Sequence, residues 1–193
     1  MSNGPSLVLR GTFFGSLLLA LLGWFLAGQI NPSPSGEVAY AAAPSQELVN
    51  TSLSDACQVS TRYPGEILRW CEIITQQAGQ ADLPPDLIAA VMLQESGGDE
   101  AAYSASGAVG LLQVMPRDGL AAAFECLNGP CFASRPTIQE LLEPAFNVEY
   151  GSRMLSGLIN SLGSPREALK AYGPMDVGYA YADQVLAIYE SYR

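Results

Sequence analysis

This 193-residue sequence contains no histidine, and it is poor in positive charge. Nine Lys and Arg residues stand against 19 Asp and Glu residues, which gives a formal net charge of −10 at pH 7. Without histidine the chain cannot form a Ser-His or Cys-His catalytic system. Any acid–base catalysis must therefore use carboxylates, tyrosine or lysine. The acidic balance argues against nucleic acid, which needs a basic protein surface, and favours a neutral, hydrogen-bonded ligand such as a sugar chain.

Cysteine is also scarce, and its four copies form two close pairs along the chain, Cys57 with Cys71 and Cys126 with Cys131. Four cysteines allow three connectivities. We favour disulfides within each pair, because residues 128–130 (Asn-Gly-Pro) can turn the chain between the last two; four free thiols are the alternative. The spacing lacks paired Cys-x-x-Cys knuckles, and histidine is absent, so we expect neither a metal nor a cofactor.

Charge is missing altogether from one long apolar run, residues 12–30 (TFFGSLLLALLGWFLAGQI), which follows Arg10. Its length approaches the roughly 20 residues that a membrane-spanning helix requires. We favour an uncleaved anchor; the alternative is a signal peptide removed near Ala41, which leaves a secreted protein. Either interpretation places the rest of the chain outside the cytoplasm, in the cell envelope, where disulfides persist.

The remaining sequence divides into a spacer and a helical domain. Residues 31–55 are rich in Pro, Ser, Ala and Asn, which predicts a flexible linker. From there onward prolines open helical segments, the first of them running from Pro64 to near Gly79. Thr137 and Ser164 each begin a capping-box pattern. We therefore predict three parts: 1–30 the membrane segment, 31–55 the linker and 56–193 a mainly α-helical domain.

Glu95 is the first candidate for chemistry. On a helix it shares a face with Ile88, Val91 and Met92, which is the face expected to be buried. Burial disfavours the charged form of a carboxyl group and raises its pKa. A general acid for a glycosidic bond needs that property, because it must still hold its proton near neutral pH. The alternative is a helix-terminal glutamate whose side chain reaches into water.

A glycine-punctuated segment, residues 104–116, follows Glu95. Gly107 and Gly110 allow the backbone to approach a ligand closely or to take a positive φ. Gln113 stands between apolar neighbours, and we expect its amide to point into a cleft lined by Met115.

Together these residues resemble the soluble lytic transglycosylase (SLT) family, whose catalytic domain has a lysozyme-like, goose-type helical fold. The resemblance covers residues 65–192. It is carried by Glu95-Ser96, by Ser104-x-x-Gly107-Ala108-x-Gly110-Leu111-Leu112-Gln113-Val114-Met115-Pro116, and then by Asn147, Gly151, Ala171-Tyr172, Tyr181 and Val185.

The resemblance implies an enzyme that cleaves the bond between N-acetylmuramic acid and N-acetylglucosamine in peptidoglycan. Glu95 would protonate the glycosidic oxygen and then take the proton of the muramic 6-hydroxyl, which closes a 1,6-anhydro ring. The 2-acetamido group of the sugar assists, so no second carboxylate is required. By the same resemblance, Ser104, Gln113, Met115, Tyr172 and Tyr181 contact the substrate, with Tyr172 reaching towards Glu95 or the sugar. The structural positions of the motif are Ser96, Gly107, Gly110, Asn147 and Gly151.

The implied partners are glycan strands and, through residues 12–30, a membrane. Two features depart from the family pattern: Gly173 stands where an asparagine is usual, and residues 118–137 form an insertion that holds the second cysteine pair. Two other functions stay open. One is an inactive glycan-binding domain. The other is a hydrolytic lysozyme with the same fold, which would require a second carboxylate to position the attacking water. The available candidates for that carboxylate are Asp99, Glu100, Asp118 and Glu143.

Overall fold

The computed structural model describes residues 57–193. The predicted membrane segment and the whole of the predicted linker lie outside these residues. Within the described part of the chain, no helix combines the length and the apolar character needed to span a membrane.

Residues 57–193 are mainly α-helical, as predicted. The hairpin inside the insertion, which was not predicted as strands, consists of β1 (Glu125–Cys126) paired antiparallel with β2 (Gly129–Pro130), directly after a 3-10 turn at Gly119–Ala123. The α-helices are α1 (Gly65–Leu68), α2 (Cys71–Ala81), α3 (Pro85–Glu95), α4 (Ile138–Leu141), α5 (Pro144–Leu162), α6 (Pro165–Tyr172) and α7 (Ala180–Tyr192).

Most helix boundaries follow the local sequence. Pro85 and Pro144 occupy the first turns of α3 and α5, where the missing N–H of proline costs no helical hydrogen bond. Thr137 completes its capping box with the glutamate three residues on. The Ser164 side chain caps α6. Gly163 ends α5 in the left-handed region at φ 81°.

The predicted single helix from Pro64 to near Gly79 was wrong. The chain breaks between α1 and α2 at Arg69 and Trp70, and α2 continues to Ala81. The side chains of both break residues donate to the Gly98 carbonyl oxygen, at 2.6 and 2.9 Å. A tertiary contact with the chain just after α3 therefore accompanies the break.

The centre of the core is α3. Its residues Leu87–Met92 are each at most 2% exposed. Helices α2 and α7 pack against α3, while α5 packs against α2 and α6, and α6 against α7. Glu95 is the last residue of α3, so its position is fixed by the most deeply buried helix of the domain.

Both disulfides form within the pairs favoured from the sequence. The Cα atoms of Cys57 and Cys71 lie 5.3 Å apart, and those of Cys126 and Cys131 lie 5.0 Å apart. The first bridge ties the start of the described chain to α2. The second closes the hairpin of the insertion across its turn.

Candidate active site

The Glu95 side chain lies half-buried at the end of α3, above Ile88, Val91 and Met92, each at most 1% exposed. One carboxyl oxygen accepts a hydrogen bond from the Tyr181 hydroxyl. Among residues 57–193 no group donates to the other oxygen, which stays available to a ligand. Burial raises the pKa of Glu95 to about 7 from its ordinary 4.5, and the Tyr181 hydrogen bond opposes part of that rise.

Tyr181 belongs to the first turn of α7 and is 6% exposed. Its ring lies directly against the Cα atom of Gly173, at the end of α6. A β-carbon at position 173 would overlap the tyrosine ring, which is why the chain needs glycine there. The backbone of Gly173 has φ −75°, so the requirement is for space and not for an unusual conformation. The ring that contacts Glu95 thus occupies the space that a side chain at position 173 would need.

Tyr172 lies beside the same site but does not contact the glutamate. Its hydroxyl donates to the Leu112 carbonyl oxygen at 2.8 Å, and the residue that reaches Glu95 is Tyr181. Burial raises the pKa of Tyr172 above its usual range, and the negative charge of Glu95 raises it further. Tyr172 therefore holds the loop that faces Glu95.

Gly151 permits the close approach of α5 to that loop. A β-carbon on Gly151 would lie 2.6 Å from Leu112 Cδ1 and 3.1 Å from the Tyr172 hydroxyl. Leu112 has little room to retreat, because it is only 2% exposed.

Asn147, fully buried on α5, uses its whole amide to join the same loop to the end of α4. Its Oδ1 accepts from the Leu112 N–H at 2.8 Å. Its Nδ2 donates to the carbonyl oxygens of Val109 and Leu141, both at 2.9 Å. Gly110 packs so closely that a β-carbon would overlap the asparagine amide, and its φ of 76° also favours glycine.

The polar residues of the 104–116 segment shape the loop. Ser104 Oγ accepts from the Ala108 N–H at 2.9 Å. Gln113 takes the left-handed φ of 45°, and its Nε2 donates to the carbonyl oxygens of Ala102 and Gly110 at 3.1 and 3.0 Å. The side-chain nitrogen of Gln113 is thus used in hydrogen bonds to the backbone just before and in the middle of this segment.

Three further residues of the motif have simpler surroundings. Ser96 Oγ donates to the Leu111 carbonyl oxygen at 2.9 Å and so joins the end of α3 to the loop. Gly107 has φ 90° and sits under the 3-10 turn of the insertion. Met115 is half-buried.

Three of the four candidate second carboxylates already accept a hydrogen bond or form an ion pair within the protein. Asp99 accepts from the Ala101 N–H, and Asp118 accepts from the Ile138 N–H. Glu100 pairs with Arg69 at 3.0 Å. Glu143 precedes α5 and is exposed. None of the four contributes to the raised pKa of Glu95.

Comparison with known protein families shows which family the chain belongs to. The family model described as "Transglycosylase SLT domain" matches residues 72–179, more than half of the chain. The chain belongs to this family. The matched range contains Glu95, the loop, Asn147, Gly151 and Tyr172, and it ends two residues before Tyr181.

Several curated proteins resemble the SLT-domain part of the chain. "Membrane-bound lytic murein transglycosylase E" of Buchnera aphidicola is 36% identical over 46% of this chain and 39% of its own length. "Endo-type membrane-bound lytic murein transglycosylase A" of Klebsiella pneumoniae is 35% identical over 48% of this chain and 44% of its own. "Transglycosylase" of Enterobacteria phage PRD1 is 30% identical over 54% of this chain and 34% of its own. The chain thus spans less than half the length of these relatives.

Among solved structures, the chain is similar to the crystal structure of an inactive mutant of lytic transglycosylase Slt from Pseudomonas aeruginosa. The TM-score is 0.47 and the identity 22%, over 62% of this chain and 23% of the other.

Sequence analysis missed the Tyr181–Glu95 hydrogen bond and the packing of the Tyr181 ring on Gly173. The two bonded residues lie 86 positions apart on different helices. Only the unexpected glycine at 173 pointed to a local difference, and it did not show which side chain fills the space.

Proposed function

We propose that the protein is a peptidoglycan lytic transglycosylase that cleaves the MurNAc–GlcNAc bond without consuming water. The observation that carries the proposal is the Glu95 carboxyl group, held at the end of a buried helix with a pKa of about 7. Such a group is protonated for a large fraction of the time at neutral pH, yet it releases its proton readily.

In the proposed reaction Glu95 first donates its proton to the glycosidic oxygen as the C1–O bond breaks. The 2-acetamido group of the muramic residue stabilises the positive charge at C1. The resulting Glu95 carboxylate then accepts the proton of the muramic 6-hydroxyl, whose oxygen attacks C1 and forms the 1,6-anhydro ring. Tyr181, which donates to one oxygen of Glu95, keeps the other oxygen directed at the substrate in both steps.

The surroundings of Glu95 support this reaction over hydrolysis. A hydrolytic enzyme needs a carboxylate that positions water. Asp99, Glu100 and Asp118 are occupied by backbone N–H groups or by Arg69, and none of the candidate carboxylates affects the pKa of Glu95. We propose that Ser104, Gln113, Met115 and Tyr172 shape the sugar subsites.

We place the enzyme in the cell envelope, anchored by residues 12–30 or secreted after cleavage near Ala41. The two disulfides agree with an oxidising compartment, and two of the curated relatives are called membrane-bound.

The test is product analysis of purified peptidoglycan digested by the full-length chain, beside Glu95→Gln. We expect anhydromuramic ends, which mass spectrometry separates from reducing ends by one water. Glu95→Gln should keep its fold and lose about 10²–10⁴-fold in turnover or more, because one group serves both proton transfers. Reducing ends would establish the hydrolytic lysozyme, glycan binding without turnover would establish the inactive domain, and a Glu95→Gln rate above about a tenth of wild type would remove Glu95 from the mechanism.

A further inference from the structure

Arg135, at the end of the insertion, is a cation that pairs with no carboxylate among residues 57–193. The ion pairs within residues 57–193 use, as cations, Arg69, Arg153, Arg166 and Arg193. Arg135 is half-buried and belongs to none of them, although the chain carries a net charge of −10. Partial burial of an unpaired cation is unfavourable unless a further group compensates for the lost hydration.

Two aromatic rings and a methionine hold the guanidinium group. Its central carbon lies 6.0 Å from the ring centre of Phe132 and 5.9 Å from that of Tyr150 on α5. One guanidinium nitrogen contacts Met154 Sδ, one turn further along the same helix. These contacts fix the planar group in one place without neutralising its charge.

The position of that charge is beside the candidate active site. Gly151, between Tyr150 and Met154 on α5, is the residue whose β-carbon would meet the Tyr172 hydroxyl. The positive charge of Arg135 and the negative charge of Glu95 act in opposite directions on the pKa of this same tyrosine. Arg135 and Glu95 therefore both lie near Tyr172.

The hairpin closed by the second disulfide positions Phe132, whose ring contacts Arg135. Cys131 N–H donates to the Phe124 carbonyl oxygen at 2.8 Å, and the two phenylalanine rings pack edge to face with centres 5.9 Å apart. The Arg135 N–H then donates to the Phe132 carbonyl oxygen at 2.9 Å. The hairpin of the insertion thus supports Phe132, one of the two rings that Arg135 contacts near the candidate active site.

We propose that Arg135 binds a carboxylate of the muramyl side of the substrate and so selects muramyl over glucosaminyl units. This inference rests on the proposed function. In peptidoglycan the carboxylates belong to the lactyl group of muramic acid, where it is free, and to the peptide stem; N-acetylglucosamine carries none. A planar guanidinium group suits a carboxylate because it can donate two parallel hydrogen bonds.

The test compares full-length wild type with Arg135→Gln, Arg135→Met and Arg135→Lys on two substrates. These are glycan strands with intact peptide stems and strands from which an amidase has removed the stems. We expect Arg135→Gln and Arg135→Met to raise KM about tenfold with kcat nearly unchanged, and Arg135→Lys to recover most of the loss. If KM rises only on intact strands, Arg135 binds a carboxylate of the peptide stem. If KM rises only on strands without stems, Arg135 binds the lactyl carboxylate.

Arg153→Gln is the matched control, since it removes an equal charge from α5 that is already paired with Glu149 at 3.3 Å. It should leave KM unchanged. Arg135→Met keeps an unbranched side chain against Phe132 and Tyr150, so it separates the charge from the packing. An unchanged KM in both neutral variants would overturn the proposal, and so would a fall in kcat alone.

Binding measured in a Glu95→Gln background keeps this inference separate from the proposed reaction. By calorimetry, the Kd for muramyl strands should rise about tenfold on Arg135→Gln, whereas the Kd for N-acetylglucosamine oligosaccharide should not change. If wild type makes no anhydro product but this difference persists, the proposed function fails and the carboxylate site stands. If anhydro product forms and both Kd values are unchanged, the carboxylate site fails alone.

Discussion

The burial of Glu95 predicts that the protein is less stable at alkaline pH than a variant that lacks this charge. The carboxyl group binds its proton more tightly in the folded protein, with a pKa of about 7, than at its ordinary value of 4.5. The folded state keeps its full stability below about pH 4.5 and loses part of it as the pH rises through 7. Glu95→Gln removes the titration while preserving the shape of the side chain.

The magnitude follows from the two pKa values. Each factor of ten in proton affinity corresponds to about 1.4 kcal/mol. The difference between 4.5 and about 7 therefore corresponds to about 3 kcal/mol of unfolding free energy, lost in full above pH 7. Glu95→Gln should resemble wild type near pH 4 and exceed it in stability by about this amount near pH 9, an increase in Tm on the order of 10 °C.

Urea unfolding of the full-length proteins, followed by circular dichroism between pH 4 and pH 9, measures this difference directly. Subtracting the two curves cancels every titration that wild type and variant share. Glu125→Gln, which removes an exposed carboxylate from β1, controls for the loss of one negative charge. A difference between Glu95→Gln and wild type that does not change with pH would refute the argument that burial raises the pKa of Glu95.

Three further predictions concern groups around the site. Tyr181→Phe removes the donor that lowers the pKa of Glu95, so the alkaline limb of the pH–rate profile should move to higher pH; an unmoved limb contradicts this role. Asn147→Asp keeps the acceptor but cannot donate to the two carbonyl oxygens, so urea unfolding should show a loss of about 3 kcal/mol or more at neutral pH. Cys126→Ser/Cys131→Ser should cost about 2 kcal/mol in the loop-entropy model and lower turnover on peptidoglycan, because it releases the hairpin that sets Arg135. Removing the other bridge should cost about 3 kcal/mol with less effect on turnover; equal turnover in the two double variants would contradict a role for the hairpin.

Local rules made much of the fold predictable. Proline in the first turn, the capping serine and threonine, and the closing glycine depend on neighbours within a few residues, so α3, α5 and α6 follow from short stretches of sequence. The buried face of α3 follows from its periodicity, which is why Glu95 was placed correctly over Ile88 and Val91. The disulfide pairing follows from short sequence separations.

Contacts between distant segments account for what sequence analysis missed. The break between α1 and α2 accompanies bonds to Gly98, which lies 28 or more residues further along the chain. The hydroxyl of Tyr172 donates to a carbonyl oxygen 60 residues away, a bond that no sequence pattern indicated. Arg135 contacts Tyr150 and Met154, which lie 15 or more residues further along the chain on α5. Such pairings have no periodic or capping pattern that a single sequence displays.

The contact between Gly173 and the Tyr181 ring makes these two positions energetically interdependent. Gly173→Asn alone would displace the ring and with it the hydroxyl on Glu95. Replacing the tyrosine alone would free the space but remove the donor. The two substitutions should therefore be strongly non-additive, so the effect of either one depends on which residue occupies the other position.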